Sequence, residues 1–208
     1  MNSKQRITQL IIYMSCFLFG CETETVDQVT PLIRENIDIE LLPGQPIVIN
    51  LVEGVVTTEP VVISIIETPT IGDFHVLEEL ATKGIYETAR NGTDHFSINY
   101  TVGESSFQRS FNLDISPNNI GSYKAIYDRG GFIEPGETIV VDVLNNDHGE
   151  GNNLRIASGP RFGAATVTSD NMIAFRATNE FLGRIDIIYE ADFNGESSSA
   201  IVRFVVRR

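Results

Sequence analysis

The sequence predicts an all-β chain folded as two tandem Greek-key β-sandwiches, preceded by a short export and anchoring segment. Three observations carry this. A pattern of strand and turn residues recurs at a spacing of 91 to 92 residues. The runs between turns are short and rich in Val, Ile, Thr, Phe and Tyr. The 3.6-residue hydrophobic period of a helix is nearly absent, and only Val76–Thr82 offers a turn of helix, with a loop or β-arm as the alternative. Expected boundaries are 1–20 for a signal segment, 21–30 for a tether, 31–116 for the first sandwich and 117–208 for the second.

The first element is an address. Lys4 and Arg6 give a basic start, the uncharged run from Leu10 to Phe19 follows, and the small Gly20 stands before Cys21. This is the layout of a secretory signal peptide. The apolar run is about half of the ~20 residues that a spanning helix needs, and a buried helix leaves the basic start and the Gly-Cys end without purpose. Leu18-Phe19-Gly20-Cys21 resembles the lipobox of bacterial lipoproteins, which implies lipidation of Cys21 and attachment to a membrane through that lipid. An ordinary cleaved signal is the alternative, because Phe19 is bulky for a lipobox. Glu22-Thr23-Glu24-Thr25 resembles the surface-export signals of some outer-membrane lipoproteins; a solvated leash is the other reading.

Composition bounds the rest. The two cysteines are Cys16, inside the removed segment, and Cys21, so an exported and lipidated chain folds without a disulfide. Stability must come from packed Val, Ile, Leu and Phe, and a hydrophobic fraction of 42% is ordinary for a globular chain. The chain carries 28 acidic and 15 basic residues, a formal charge of −13, and without Lys4 and Arg6 the charge is about −15. Such a balance disfavours nucleic acid and anionic headgroups as partners. There is no Trp, which weakens a sugar platform built on indoles.

The repeat sets the architecture. Leu42-Pro43-Gly44-Gln45-Pro46-Ile47-Val48-Ile49-Asn50-Leu51 parallels Glu134-Pro135-Gly136-Glu137-Thr138-Ile139-Val140-Val141-Asp142-Val143, with Gly44 and Gly136 92 residues apart. Gly92-Thr93-Asp94-His95-Phe96 and Gly183-Arg184-Ile185-Asp186-Ile187 follow at a spacing of 91. In the second half, strands fit a loose Tyr123–Tyr127, then Thr138–Val143, Leu154–Ser158, Ala165–Thr168, Met172–Arg176, Arg184–Ala191 and Ser198–Val206. Asp170-Asn171 supplies one tight turn. Asn194-Gly195 supplies the positive φ angles of a hairpin tip. In the first half, Gly103 to Ser106 turns the chain between Phe96–Val102 and Phe107–Ile115. Six or seven short antiparallel strands in about 90 residues point to sandwiches of immunoglobulin type, joined near Ser116-Pro117-Asn118-Asn119.

Asp142-Val143-Leu144-Asn145-Asn146-Asp147, then Gly163-Ala164-Ala165-Thr166-Val167, Gly183 and the closing hairpin resemble the bacterial Ig-like and cadherin-like repeats of large surface proteins. The likeness covers Glu134–Val206. The first half shares it mainly through the second, since Val52-Glu53-Gly54 replaces the Leu-x-Asn-Asp stretch. Some such modules bind calcium at this loop, which marks Asp142, Asn146, Asp147 and Glu150 as weak candidates. Asn, Asp and Gly also serve turn chemistry alone, and a structural loop is the competing reading. No cofactor other than calcium is expected.

Chemistry is otherwise sparse. His75, His95 and His148 fall in three different elements, without zinc-ligand spacing. There is no Gly-x-Ser-x-Gly elbow, Glu78-Glu79 are neighbours that point apart on a strand, and Arg129-Gly130-Gly131 lacks the strand–loop–helix context of a phosphate loop. Lys83 and Lys124 are the lysines left after cleavage, too few to suggest an internal isopeptide bond. The expectation is therefore a non-enzymatic, lipid-anchored envelope protein, at the outer membrane and facing outward, that binds, adheres or acts as a spacer. The alternative is an accessory glycan-binding lipoprotein of a polysaccharide-utilisation system, with Tyr123, Tyr127 or Phe132 as contacts. Its protein or glycan partner is not specified by sequence.

Overall fold

The computed structural model describes residues 36–77, 80–119, 121 and 123–208. The signal segment 1–20, Cys21, the tether 21–30 and Glu78-Glu79 lie outside the described residues. Among the described residues fourteen strands occur, in two sets of seven. The first set is β1 (Asn36–Leu41), β2 (Ile47–Asn50), β3 (Val61–Glu67), β4 (Asp73–Val76), β5 (Lys83–Glu87), β6 (Gly92–Val102) and β7 (Ser105–Ile115). The second is β8 (Asp128–Ile133), β9 (Thr138–Val141), β10 (Gly151–Ser158), β11 (Ala164–Val167), β12 (Ile173–Arg176), β13 (Gly183–Phe193) and β14 (Glu196–Val206). Among the described residues there is no helix.

Both sets make the same two layers. One sheet runs β1-β7-β6-β3 and faces β2-β5-β4; the other half repeats this as β8-β14-β13-β10 and β9-β12-β11. The first strand of each set pairs in parallel with the last, and the remaining ladders are antiparallel. These are tandem immunoglobulin-like sandwiches. Alternation explains the long hairpins: Phe96, Ile98, Tyr100 and Val102 of β6 point inward, while His95, Asn99 and Thr101 point out. The turn between β13 and β14 is Asn194-Gly195, with φ of 52° and 87°, as a type I′ hairpin requires. The Pro-Gly turns before β2 and β9 also match, with Gly44 at φ 78° and Gly136 at φ 83°.

Each sandwich has its own core. In the first, Phe74, Phe96 and Phe111 form a stack with centroids 4.0 and 4.6 Å apart, packed among Ile39, Leu41, Ile49, Leu51 and Leu113. In the second, Phe175 and Phe204 lie 4.8 Å apart among Ile173, Ile187, Phe193 and Val202. A third, smaller cluster joins the halves: Val48 and Ile85 of the β2-β5-β4 sheet meet Ile188 and Ile201 of the β13–β14 hairpin, flanked by Leu77, Tyr127 and Ala157. All fourteen strands accordingly belong to one compact unit.

One expected element is corrected. Tyr123–Tyr127 is not a strand, and β8 starts only at Asp128. The backbone from Lys124 to Tyr127 has non-ladder partners: the Lys124 carbonyl accepts from His148 N–H (2.8 Å) and Ala125 N–H donates to Ser198 Oγ (3.0 Å). Ile126 N–H donates to Asp147 Oδ1 (2.7 Å), and the Tyr127 carbonyl accepts from Asn146 Nδ2 (3.2 Å). Likewise β9 stops at Val141 because the Asp142 carboxylate takes Leu144 N–H at 3.2 Å and turns the chain.

Gly130-Gly131 is explained by packing. A Cβ on Gly130 would lie 2.3 Å from the buried Phe204 ring, and Gly131 (φ 94°) sits where the β8–β14 register shifts. Gly130→Ala is expected to cost about 1–3 kcal/mol in urea unfolding through overpacking. An unchanged midpoint would mean that the Phe204 ring is free to move aside.

Candidate functional site

The acid-rich loop after β9 does not gather its candidate ligands. Asp142 caps Leu144 N–H, Asn146 reaches the Tyr127 carbonyl, Glu150 faces solvent, and Asp147 turns inward. Among the described residues no group of three or more His, Cys, Asp or Glu side chains converges as a metal site.

What the loop builds instead is a buried acid cluster. Tyr189, on β13, places its hydroxyl beside four oxygens: Ile126 O at 2.9 Å, Asp128 Oδ2 at 2.9 Å, Val143 O at 3.1 Å and Asp147 Oδ1 at 3.3 Å. A phenol has one proton to donate. The acceptors therefore outnumber the donors, which disfavours ionised carboxylates here. Burial accordingly pushes Asp128, which is 7% exposed, up to about 7, against a partly opposing hydrogen bond from Tyr189. Asp147 is pushed to about 6, again mainly by burial, and its Oδ2 is buried without a hydrogen-bond partner. Burial and the neighbouring carboxylates raise the Tyr189 hydroxyl as well. Asp147 stood among the residues singled out from sequence. Asp128 did not, since its position at the start of β8 gives no motif.

The other concentration of charge lies where the sandwiches meet. Arg203, on β14, makes a bidentate pair with Glu87 on β5 (2.8 and 3.0 Å) and a second with Asp186 on β13 (2.8 and 3.0 Å). Its guanidinium also lies over the Tyr127 ring at 5.6 Å. Arg203's hydrogen bonds hold Glu87 below the usual carboxylate range. Nearby, Glu190 receives Lys83 from the first sandwich and Arg155 from β10. Lys83 further donates to Ser199 Oγ at 2.6 Å. Burial opposes ionisation of Glu190, but these donors and Ser197 outweigh it and hold the group at about 2. Beside this network is a cleft of about 720 Å³ lined by Asn50, Glu53, Lys83, Tyr123, Lys124 and Glu196 among others. It is open, and Ser199, which accepts from Lys83, lies on its wall.

The remaining expected contacts are scattered. Tyr123 and Tyr127 are half-buried, and burial raises the Tyr123 hydroxyl. Phe132 is 61% exposed, with the Arg207 guanidinium 3.5 Å from its ring centroid. Phe162, beside another open cleft, is already stacked on Phe181 at 4.4 Å and covered by Arg161. His75, His95 and His148 are all exposed and lie on β4, on β6 and in the loop before β10; His95 pairs with Glu67 at 2.9 Å. Asp94 is structural: it accepts N–H bonds from Thr70, Ile71 and Gly72 and the Tyr86 hydroxyl (2.8–3.0 Å), which overcome its burial and hold it at about 2.

No family model matches the chain, and no curated protein matches it. Among solved structures, tandem Ig repeats of Dlar are 11% identical over 84% of this chain and 96% of that one, with a TM-score of 0.38. Sidekick-1 immunoglobulin domains 1–4 are 12% identical over 86% and 48%, at 0.30. An endo-fucoidan hydrolase of glycoside hydrolase family 107 is 14% identical over 82% and 27%, also at 0.30. The chain thus spans less than a third of the length of that hydrolase.

Two predictions follow from the geometry. Asp128 and Asp147 titrate higher folded than unfolded, so their stabilising contribution is complete below about pH 4 and is lost as pH rises through 6 to 7. Asp128→Asn should raise unfolding free energy at pH 8 by about 2–4 kcal/mol and flatten the slope between pH 4 and 7; a variant less stable at pH 8 contradicts the assignment. Separately, Arg203→Ala removes both bidentate pairs and leaves the half-buried Glu87 and Asp186 with only the longer contacts to Arg184, at 3.8 and 3.7 Å. It should cost about 2 kcal/mol and speed amide exchange in β2 and β14, which an unaltered exchange pattern excludes.

Proposed function

We propose that this chain is a lipid-anchored protein of the cell envelope, held at the outer membrane through Cys21. Its two Ig-like sandwiches serve as a non-enzymatic binding, adhesion or spacer module. The observation that carries this reading is the junction between the sandwiches. A covered apolar cluster (Val48, Ile85, Ile188, Ile201) and the Arg203–Glu87 and Lys83–Glu190 pairs fix one half against the other. A stalk that holds loops or a sheet face away from a membrane needs such stiffness, whereas a flexible two-bead chain does not supply it.

The anchor follows the physics of acyl chains. Each buried CH₂ adds about 0.8 kcal/mol, a single chain binds marginally, and two or more make attachment durable. Cys21 is the cysteine next to the small residue that such processing needs. A glycan-binding role is the second reading, and Phe132 is the observation that favours it, being the one of the three suggested aromatics that is exposed.

Metabolic labelling with an alkyne fatty acid should mark the wild-type chain and leave Cys21→Ser unmarked; label on the serine variant would exclude this anchor. Affinity capture with the full chain from envelope extracts tests the module. A protein partner retained by Phe132→Ala favours adhesion, and sugar binding on a glycan array abolished by the same change favours the second reading.

A further inference from the structure

The end strands of the sheets are not equally protected. A free strand edge presents a row of unpaired N–H and C=O groups, and proteins blunt such edges with charge, bulges or short length. Here β2, β4, β9 and β11 are four residues long, β1 carries Asp38 and Glu40, and β8 carries Asp128 and Arg129. The strand β10 has Asn152, Asn153 and Arg155, two register shifts against β13, and Asn153 at φ 51°. Arg155 there is bound to Glu190 and Asp192.

Its counterpart β3 has little of this. The strand Val61-Val62-Ile63-Ser64-Ile65-Ile66-Glu67 pairs with β6 on one side and, among the described residues, with no strand on the other. No charge falls between Val61 and Ile66. The single register shift lies at its end and leaves Ile66 without an opposite residue on β6. Of the large apolar side chains exposed among the described residues, half fall in one stretch: Val56 (70%), Val62 (63%), Ile65 (40%) and Ile66 (53%). A patch of this kind along an open edge marks an interaction surface.

The occupant must be another strand, because only an extended backbone satisfies a row of edge amides and carbonyls. The side chains further select a copy of this strand. Antiparallel pairing about Ser64 sets Val62 opposite Ile66 and Ile63 opposite Ile65, so four of the five apolar residues meet an apolar one, the serine meets itself, and Val61 meets Glu67 only at the two ends. A charged peptide finds no counter-charge between Val61 and Ile66. We propose that the chain dimerises by antiparallel pairing of β3 with β3 of a second copy, about a twofold axis at Ser64. Such a contact is isologous and closes on itself. It extends β1-β7-β6-β3 into one eight-stranded sheet across two molecules. It is small, at the low end of specific interfaces, and it forms between chains of charge −13, so its strength rises as salt screens their repulsion. The pairing does not depend on the function proposed above.

Sedimentation equilibrium of the full chain from about 1 µM to about 1 mM covers the range of such weak contacts. A reversible monomer–dimer equilibrium that tightens between about 50 mM and 500 mM salt is expected. Val62→Lys with Ile66→Lys sets lysines against each other across the axis and should weaken the dimer at least about tenfold, without changing thermal unfolding. Mixing that variant with Val62→Glu plus Ile66→Glu should restore association as a heterodimer. A chain that stays monomeric throughout overturns the proposal, as does a dimer whose affinity the lysines leave unchanged.

Discussion

Each sandwich is closed by one buried tyrosine hydroxyl resting on the backbone just past its second strand. No disulfide joins the sheets, since Cys16 and Cys21 both precede them. Tyr100 donates to the Leu51 carbonyl and Tyr189 lies 3.1 Å from the Val143 carbonyl, while Leu51 and Val143 are themselves fully buried. A buried carbonyl left without a donor costs about 1–3 kcal/mol, so the hydroxyl fixes where the chain leaves one sheet for the other. The two tyrosines are not equivalent positions. At the repeat spacing Tyr189 corresponds to Ile98, and Tyr100 to Ala191. The same contact is thus reached from two different places along the strand.

The halves complete this polar centre with opposite charges. In the first, Arg109 is fully buried and its Nη1 donates to the Leu51 and Glu53 carbonyls, at 3.2 and 2.8 Å, while its guanidinium lies 5.3 Å from the Tyr100 ring. A guanidinium brings several protons to a carbonyl-rich site. In the second, the equivalent position is Ala200, and the space is served by Asp128 and Asp147, whose protons leave as pH rises. Asp94 acts in the contrary sense in the first half: held at about 2, it stabilises above its ordinary range and fails only in strong acid. Two sandwiches of one topology therefore answer differently to the same change in pH.

Much of the fold was legible because its signals are local. Pro-Gly before β2 and β9, the Gly that opens β6 and β13, and Asn194-Gly195 each impose a backbone angle that few other residues accept. Tyr123–Tyr127 misled for a physical reason: β-forming side chains were read where the backbone is committed to loop partners rather than a neighbouring strand. The acid cluster was half visible. Asp147 belongs to a motif, but Asp128 acquires its role only when β8 brings it under Tyr189. Lys83, Glu87 and Arg203 carried no signal, because the facing surfaces of two domains have no sequence spacing in common.

The junction also shows why the chain need not grow into a filament of sandwiches. It is heterologous, using the three-stranded sheet of the first half and the β13–β14 surface of the second. The corresponding three-stranded face of the second half stays open, and an identical contact there would begin an unclosed array. At the Pro-Gly spacing, Val48 corresponds to Val140, and the ladders then match Ile85 with Ala174 and Glu87 with Arg176. Val48 is 3% exposed and Val140 52%. The open face is therefore still apolar, but where Glu87 received Arg203 it offers Arg176, a like charge. Arg203 of another copy would lose both of its bonds to Glu87 and meet a guanidinium instead. One substitution in the repeat thus keeps the surface that joined the two halves from accepting a third of the same kind, and leaves the molecule a stiff pair.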